Sequence, residues 1–220
     1  MTKKWGVIVI DIQGDFTKWK QGSLAVPGSD EDYVKSAEAA TRQFKELGVP
    51  ILGTQDWHPS DHISFATSHP GKKPFETMMI DGETQVLWPL HCVQGTENAR
   101  LLIDNNLFLA IVKNAQDQGV ESYSFFQNGQ DTRKEMDTIL RINGVEKVIL
   151  YGIATEYCVR ATSLDLLAAD YKTTVIEGLC RGVSPEAAAN ALDEMRRKGV
   201  RVITTVDEII EEIRREISCK

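Results

Sequence analysis

Gly6-Val7-Ile8-Val9-Ile10-Asp11 decides the fold. The run from Val7 to Ile10 is β-branched and shows no polar alternation, so it reads as a strand covered on both faces, the condition of a parallel sheet. A carboxylate ends it. Similar short apolar runs follow at 51–54, 107–112, 147–151, 173–176 and 200–203. Helical patterns fit between them. One over 32–47 is closed by Gly48 and Pro50, and others cover 133–142 and 156–169. A helix over 185–198 starts from Ser184 as cap with Pro185 in its first turn, and the last, over 207–217, carries Ile209, Ile213 and Ile217 on one stripe. Strands alternating with helices predict an α/β fold: a three-layer α/β/α sandwich around a mainly parallel, doubly wound sheet of about six strands. No internal repeat or linker interrupts this rhythm, so residues 1–220 read as one domain.

Composition narrows the possibilities. A chain of 220 residues buries roughly 70–75% of its unfolded surface in a single core. The 42% hydrophobic and 26% charged content is that of a folded globule. A net charge of −7 opposes nucleic-acid binding, and the apolar runs are too short to span a membrane. Residues 1–10 faintly resemble a signal peptide, but Asp11 breaks the apolar run early. Four cysteines without paired spacing predict free thiols and a cytoplasmic location.

Two stretches break the rhythm, and both leave the carboxyl ends of proposed strands, where open α/β sheets bind ligands. The first, an irregular insertion over about 56–106, shows no sustained period and holds four of the seven prolines and two of the four tryptophans. The second, 114–131, is rich in Gly, Gln and Asn but carries Tyr123, Phe125 and Phe126.

All four histidines (His58, His62, His69 and His91) fall in the first stretch. Any one alone is an ordinary surface or packed residue; together they suggest a metal site. Asp56 and His58, two apart at a strand end, point the same way, and His91 can complete two imidazoles and one carboxylate around a divalent ion. That donor set suits zinc, iron or manganese, zinc foremost. Asp11 is either a turn residue or an acid/base at a strand's carboxyl end. Lys113 closes a strand, which by itself only marks a return to water. Cys158 lies where a strand and a small-residue turn run into a helix start, so the helix dipole would favour its thiolate and free N–H groups could hold an oxyanion. Cys92, Cys180 and Cys219 read as structural thiols.

Six segments in order resemble the isochorismatase-like cysteine hydrolases, most closely their nicotinamidase branch. They are Asp11-Ile12-Gln13-Gly14-Asp15-Phe16, the run from Thr54 to Ala66, the run from Trp88 to Thr96, Lys113, Ser122-Tyr123-Ser124, and the run from Gly152 to Val159. The resemblance implies a catalytic triad of Asp11, Lys113 and Cys158, and a metal held by Asp56, His58 and His91, with His62 a ligand in some relatives. It implies Phe16 and Trp88 against a pyridine ring, Tyr123 and Ala154 beside the substrate, and an oxyanion hole at the N–H groups of Ala154 and Cys158, next to a cis peptide between Ile153 and Ala154. The implied reaction is hydrolysis of nicotinamide to nicotinate and ammonia through a thioester, in NAD salvage. A small-molecule amide is then the partner, with room for a homo-oligomer. Departures from the family pattern are Asn114 after the lysine, Gly14 where Asn is frequent, and Phe125-Phe126 in place of Ala-Phe.

Three rivals remain. A related amidase for a carbamoyl or ureido substrate would generally lack the full Asp-x-His…His set. A non-haem iron oxygenase shares two histidines and a carboxylate but leaves Cys158 idle. A binding module that has lost turnover would have little use for Asp11, Lys113 and Cys158 together.

Overall fold

The computed structural model describes residues 4–80, 82–126 and 131–218. Its centre is a sheet of six strands, every pairing parallel. β1 (Lys4–Ile10) and β2 (Ile51–Asp56) come first. A separate antiparallel pair follows, β3 (Thr77–Ile80) with β4 (Glu83–Val86). The main sheet resumes with β5 (Ala110–Asn114), β6 (Val145–Gly152), β7 (Lys172–Ile176) and β8 (Arg201–Ile203). The spatial order is β5-β2-β1-β6-β7-β8, so the order reverses between β1 and β6. Such a switch point opens a crevice at the strands' carboxyl ends. All residues of β1 beyond its first are buried, as the uninterrupted apolar run requires.

Helices flank the sheet: α1 (Glu31–Glu46), α2 (Asp131–Ile142), α3 (Arg160–Ala168), α4 (Pro185–Lys198) and α5 (Val206–Ser218). Asp30 caps α1 by accepting from Tyr33 N at 2.9 Å. Ser184 caps α4 as expected, with Pro185 in the first turn and Gly199 left-handed at the end. Thr41 of α1 shares a 2.7 Å hydrogen bond with Tyr151 of β6, whose ring also stacks with Phe44.

Three expectations shift in detail. The strand expected over 107–112 begins later, at Ala110, because Asp104 caps a 3-10 turn over Asn105–Leu107. The helix expected over 156–169 opens as a π-helical turn, Thr155–Val159, before α3. The irregular stretch 56–106 contains β3 and β4, whose four-residue strands are too short to show a period. Residues 127–130 of the second irregular stretch, Cys219 and residues 1–3 lie outside the described residues.

Candidate active site

The site grows from the switch point. Gly152 ends β6 at φ 139, and a Cβ there would lie 1.9 Å from Ile10 O. Only glycine lets the two strand ends approach so closely. Beyond it the Ile153–Ala154 peptide is cis, as the resemblance implies, and the chain turns into the segment bearing Cys158. Arg181 N donates to Gly152 O and Thr155 N to Arg181 O, tying this turn to the start of the α4 loop.

Asp11 follows β1 at φ 46, fully buried. Thr54 Oγ1 donates to its Oδ1 at 2.7 Å, and the Cys158 thiol hydrogen-bonds to the same carboxyl group. Desolvation pushes its carboxyl up to about 7, against the pull of the Thr54 hydroxyl. One carboxylate oxygen each from Asp11 and Asp56 and the Cys158 sulfur lie within 4.8 Å of one another. Burial, and then the negative charges of Asp11 and Asp56, push the Cys158 thiol well above its ordinary value. This corrects the expectation of a thiolate favoured by the helix start. The turn is π-helical, the sulfur is buried, and its neighbours are acids rather than cations.

Lys113 does not join them. Its Nζ lies 3.8 Å from the centroid of the Trp57 ring, and among the described residues it forms no ion pair with Asp11. The register sets this arrangement: Asp56 of β2 faces Asn114 of β5, and Trp57 N donates to Asn114 O, placing Trp57 beside the end of β5.

Asp56, His58 and His91 bring one ligand atom each within 4.8 Å of one another. Their positions are fixed from several sides. Gln13 grips the Asp56 main chain, its Oε1 accepting from Asp56 N at 2.9 Å and its Nε2 donating to Asp56 O at 2.8 Å. His58 N donates to Cys92 O and Gln94 N to His58 O, which holds the two histidine segments side by side. Asp15 Oδ2 accepts from Cys92 N at 2.7 Å and steadies the left-handed turn next to His91.

The histidines are held neutral, as ligands must be. Desolvation drives His58 down to about 2 and His91 down to about 4. His91 Nδ1 lies 2.8 Å from Pro89 O, and a carbonyl only accepts, so Nδ1 carries the proton and Nε2 keeps its lone pair. His58 Nδ1 is buried with no partner among the described residues. A buried orphan nitrogen next to a second free imidazole and a carboxylate fits a divalent cation. His62 also lies close: one ligand atom each of His58, His62 and Glu121 lie within 4.8 Å of one another, and the His62 ring is 4.6 Å from that of His58. Val120 O faces its Nε2 at 3.2 Å and Ser64 Oγ its Nδ1 at 2.8 Å. His69 is further removed, its Nε2 facing Ile63 O.

Cys158, Asp56, His58 and His91 open into one small pocket. Phe16 and Trp88 line it with Tyr123, Tyr157 and Ala154. Phe16 sits 5.4 Å from His91 by ring centroids, and Trp88 meets Tyr157 edge-on at 5.2 Å. Tyr123 Oη accepts from Trp88 Nε1 at 3.1 Å and from Gln85 Nε2 at 3.3 Å, which links β4 to the pocket wall. Slots of this kind take flat, mostly apolar ligands.

Gln13, Asp15, Thr54, Glu121 and Tyr157 carry no role that the sequence alone shows. Gln13, Asp15 and Thr54 stand inside segments that carried the resemblance, and their hydrogen bonds become visible only with the fold. Glu121 lines the pocket from the second irregular stretch.

A model of the isochorismatase domain matches residues 6–207. The nicotinamidase of Escherichia coli (strain K12) is 37% identical over 206 residues, 91% of this chain and 95% of that protein. The structure of the yeast nicotinamidase bound to the inhibitor nicotinaldehyde superposes with a TM-score of 0.82 at 31% identity, covering 91% of this chain and 100% of that one. The pyrazinamidase of Pyrococcus horikoshii in complex with zinc gives 0.76 at 35% identity, covering 92% and 99%.

Proposed function

The chain belongs to the isochorismatase family, and from that premise we propose that it is a nicotinamidase, an amidohydrolase converting nicotinamide to nicotinate and ammonia within NAD salvage. One observation carries the reading: a thiol with the buried Asp11 carboxylate within 4.8 Å behind it opens into a small aromatic pocket beside a second carboxylate and two neutral imidazoles.

An amide carbonyl is a weak electrophile and ammonia a poor leaving group, so the reaction needs a strong nucleophile and two proton transfers. Asp11 takes the Cys158 thiol proton as sulfur attacks the carbonyl carbon. The N–H groups of Ala154 and Cys158 receive the oxyanion. Asp11 then gives the proton to the departing nitrogen, leaving a thioester and ammonia. Water, deprotonated by the same carboxylate, releases the acid. An Asp11 carboxyl at about 7 suits both directions of transfer near neutral pH. Lys113 completes the set when its long side chain turns from Trp57 toward Asp11.

Phe16 and Trp88 flank the ring, Tyr123 and Ala154 close the pocket, and Asp56, His58 and His91 would hold a divalent ion, zinc foremost. Such an ion, when bound, supplies a Lewis-acidic point for the lone pair of a ring nitrogen and so orients the substrate. Among the described residues no helix is long and apolar enough to cross a membrane, and a cytoplasmic location accords with the free, buried Cys92, Cys158 and Cys180.

Ammonia release from nicotinamide and a panel of other amides, with elemental analysis of the same sample, tests the proposal. Turnover of pyridine and pyrazine carboxamides well above that of ureido or carbamoyl compounds is expected. Faster turnover of the latter would overturn it.

A further inference from the structure

The turn that carries Cys158 is fastened to α4 and the loop before it from two sides. On one side, Arg181 N donates to Gly152 O at 3.1 Å and Thr155 N to Arg181 O at 3.0 Å, both main-chain bonds that no side chain supplies. The third fastener differs. Ser184 N donates at 2.9 Å to Oε1 of Glu156, so this bond exists only because residue 156 carries an acceptor at that reach. On the other side, Arg160 grips Glu194 of α4 through Nε at 2.6 Å and Nη2 at 2.8 Å. Cys158 stands midway, two residues from each side-chain anchor.

The Glu156 carboxylate has a berth shaped for it. Its Oε2 is buried with no hydrogen-bond partner among the described residues. A Cβ on Gly182 would lie 2.6 Å from that oxygen, so the chain is bare at 182 where the carboxylate rests. Ser184 is the N-cap of α4, and the positive end of the helix dipole favours a negative charge there. Glu156 does not line the pocket, whereas its neighbours Tyr157 and Cys158 do.

We propose that Glu156 is a positioning residue: by anchoring the Thr155–Val159 turn to the head of α4, it sets where the Cys158 sulfur and the N–H groups of that turn stand against the substrate carbonyl. It rests on the nicotinamidase reading for its kinetic consequence. The five residues form a π-helical turn, a rare conformation met frequently at functional sites. A misplacement of ~1 Å at a reacting atom costs on the order of 10²-fold in rate, so one lost anchor is enough to register.

The test compares Glu156→Leu, which keeps bulk and loses the acceptor, with Glu156→Gln, which keeps an acceptor at Oε1. Both are assayed as zinc-loaded protein. Leucine is expected to lower kcat for nicotinamide ~10–100-fold while KM moves less than ~3-fold, because the aromatic walls and the imidazoles are untouched. Glutamine is expected to recover kcat to within ~3-fold of wild type. Iodoacetamide should alkylate Cys158 at least ~3-fold faster in the leucine variant, since a loosened turn brings the buried thiol within reach. Zinc content should equal that of wild type in both. Equal losses in the two variants would overturn the proposal, as would a KM that rises as far as kcat falls. A leucine variant without zinc or native circular dichroism would make Glu156 a residue of folding, and that also overturns it. Absent ammonia release from the wild-type protein would sink the nicotinamidase reading alone; the difference in Cys158 alkylation between the variants, read without substrate, would still decide what Glu156 holds.

Discussion

The two sides of the pocket are buried alike and answer burial with opposite proton affinities. On the imidazole side, desolvation strips protons: His58 falls to about 2 and His91 to about 4. On the strand-end side it retains them, lifting Asp11 to about 7 and Cys158 well above its ordinary value. In both places the low dielectric disfavours charge, and the sign follows from whether the charged form is the protonated one. One desolvated cavity thus yields neutral imidazoles free to take a metal ion and, a few ångströms away, a carboxylate poised to exchange protons.

The largest effects should come from the strand-end side. Cys158→Ala should abolish turnover by ~10⁴-fold or more while leaving the bound ion in place. Asp11→Asn, which removes both proton transfers, should cost ~10²–10⁴-fold in kcat. If either variant also lost its metal, the two sides would not be separable. On the imidazole side the reading should reverse. His91→Ala should lower metal affinity by at least ~10-fold with Cys158 still open to alkylation, and Gln13→Leu, which frees the Asp56 main chain, should do the same by ~10–100-fold. Unchanged metal content in His91→Ala would reassign the ligand.

The opposite signs also predict opposite pH dependences for metal-free protein. Asp11 is lifted from 3.8 to about 7, so the folded state binds its proton more tightly, and this contribution to stability is lost as pH rises through that window. The histidines are depressed from 6.5, so theirs is lost as pH falls below 6.5 toward about 4 for His91 and further for His58. Asp11→Asn should therefore gain on wild type, in urea midpoint, between pH 4 and pH 7, and His91→Asn should gain between pH 6.5 and pH 4. Shifts of the same sign in both variants would break the comparison.

How much of this the sequence shows also differs between the two sides. Asp11 and Cys158 end or follow strands whose apolar runs are unmistakable, and the switch point follows from the strand order those runs build. The histidine cluster is legible as composition, and its pairing with Asp56 by spacing. What holds it is not, because Gln13, Asp15 and the bridge between His58 and Val93 act across tens of residues without any period. The proton affinity of Cys158 escapes the sequence for the same reason, and the helix start points to the opposite sign. A helix start is a local signal, whereas the burial and the acids of β1 and β2 that dominate it are not.

The smallest predicted effect probes the group that belongs to neither side. Lys113 rests on Trp57, the residue between Asp56 and His58, so the cation–π contact is a physical join between the two sides. Such a contact is worth about 0.5–1 kcal/mol at a partly exposed position, and up to about 2 when desolvated. Trp57→Leu keeps bulk but removes the π face, so kcat should change ~2–5-fold, with metal content and KM nearly unchanged. Trp57→Phe should restore most of it, since the face rather than the indole holds the ammonium. If the leucine variant instead loses its metal, Trp57 serves the His58 segment, and the ammonium is resting on it without consequence for the reaction.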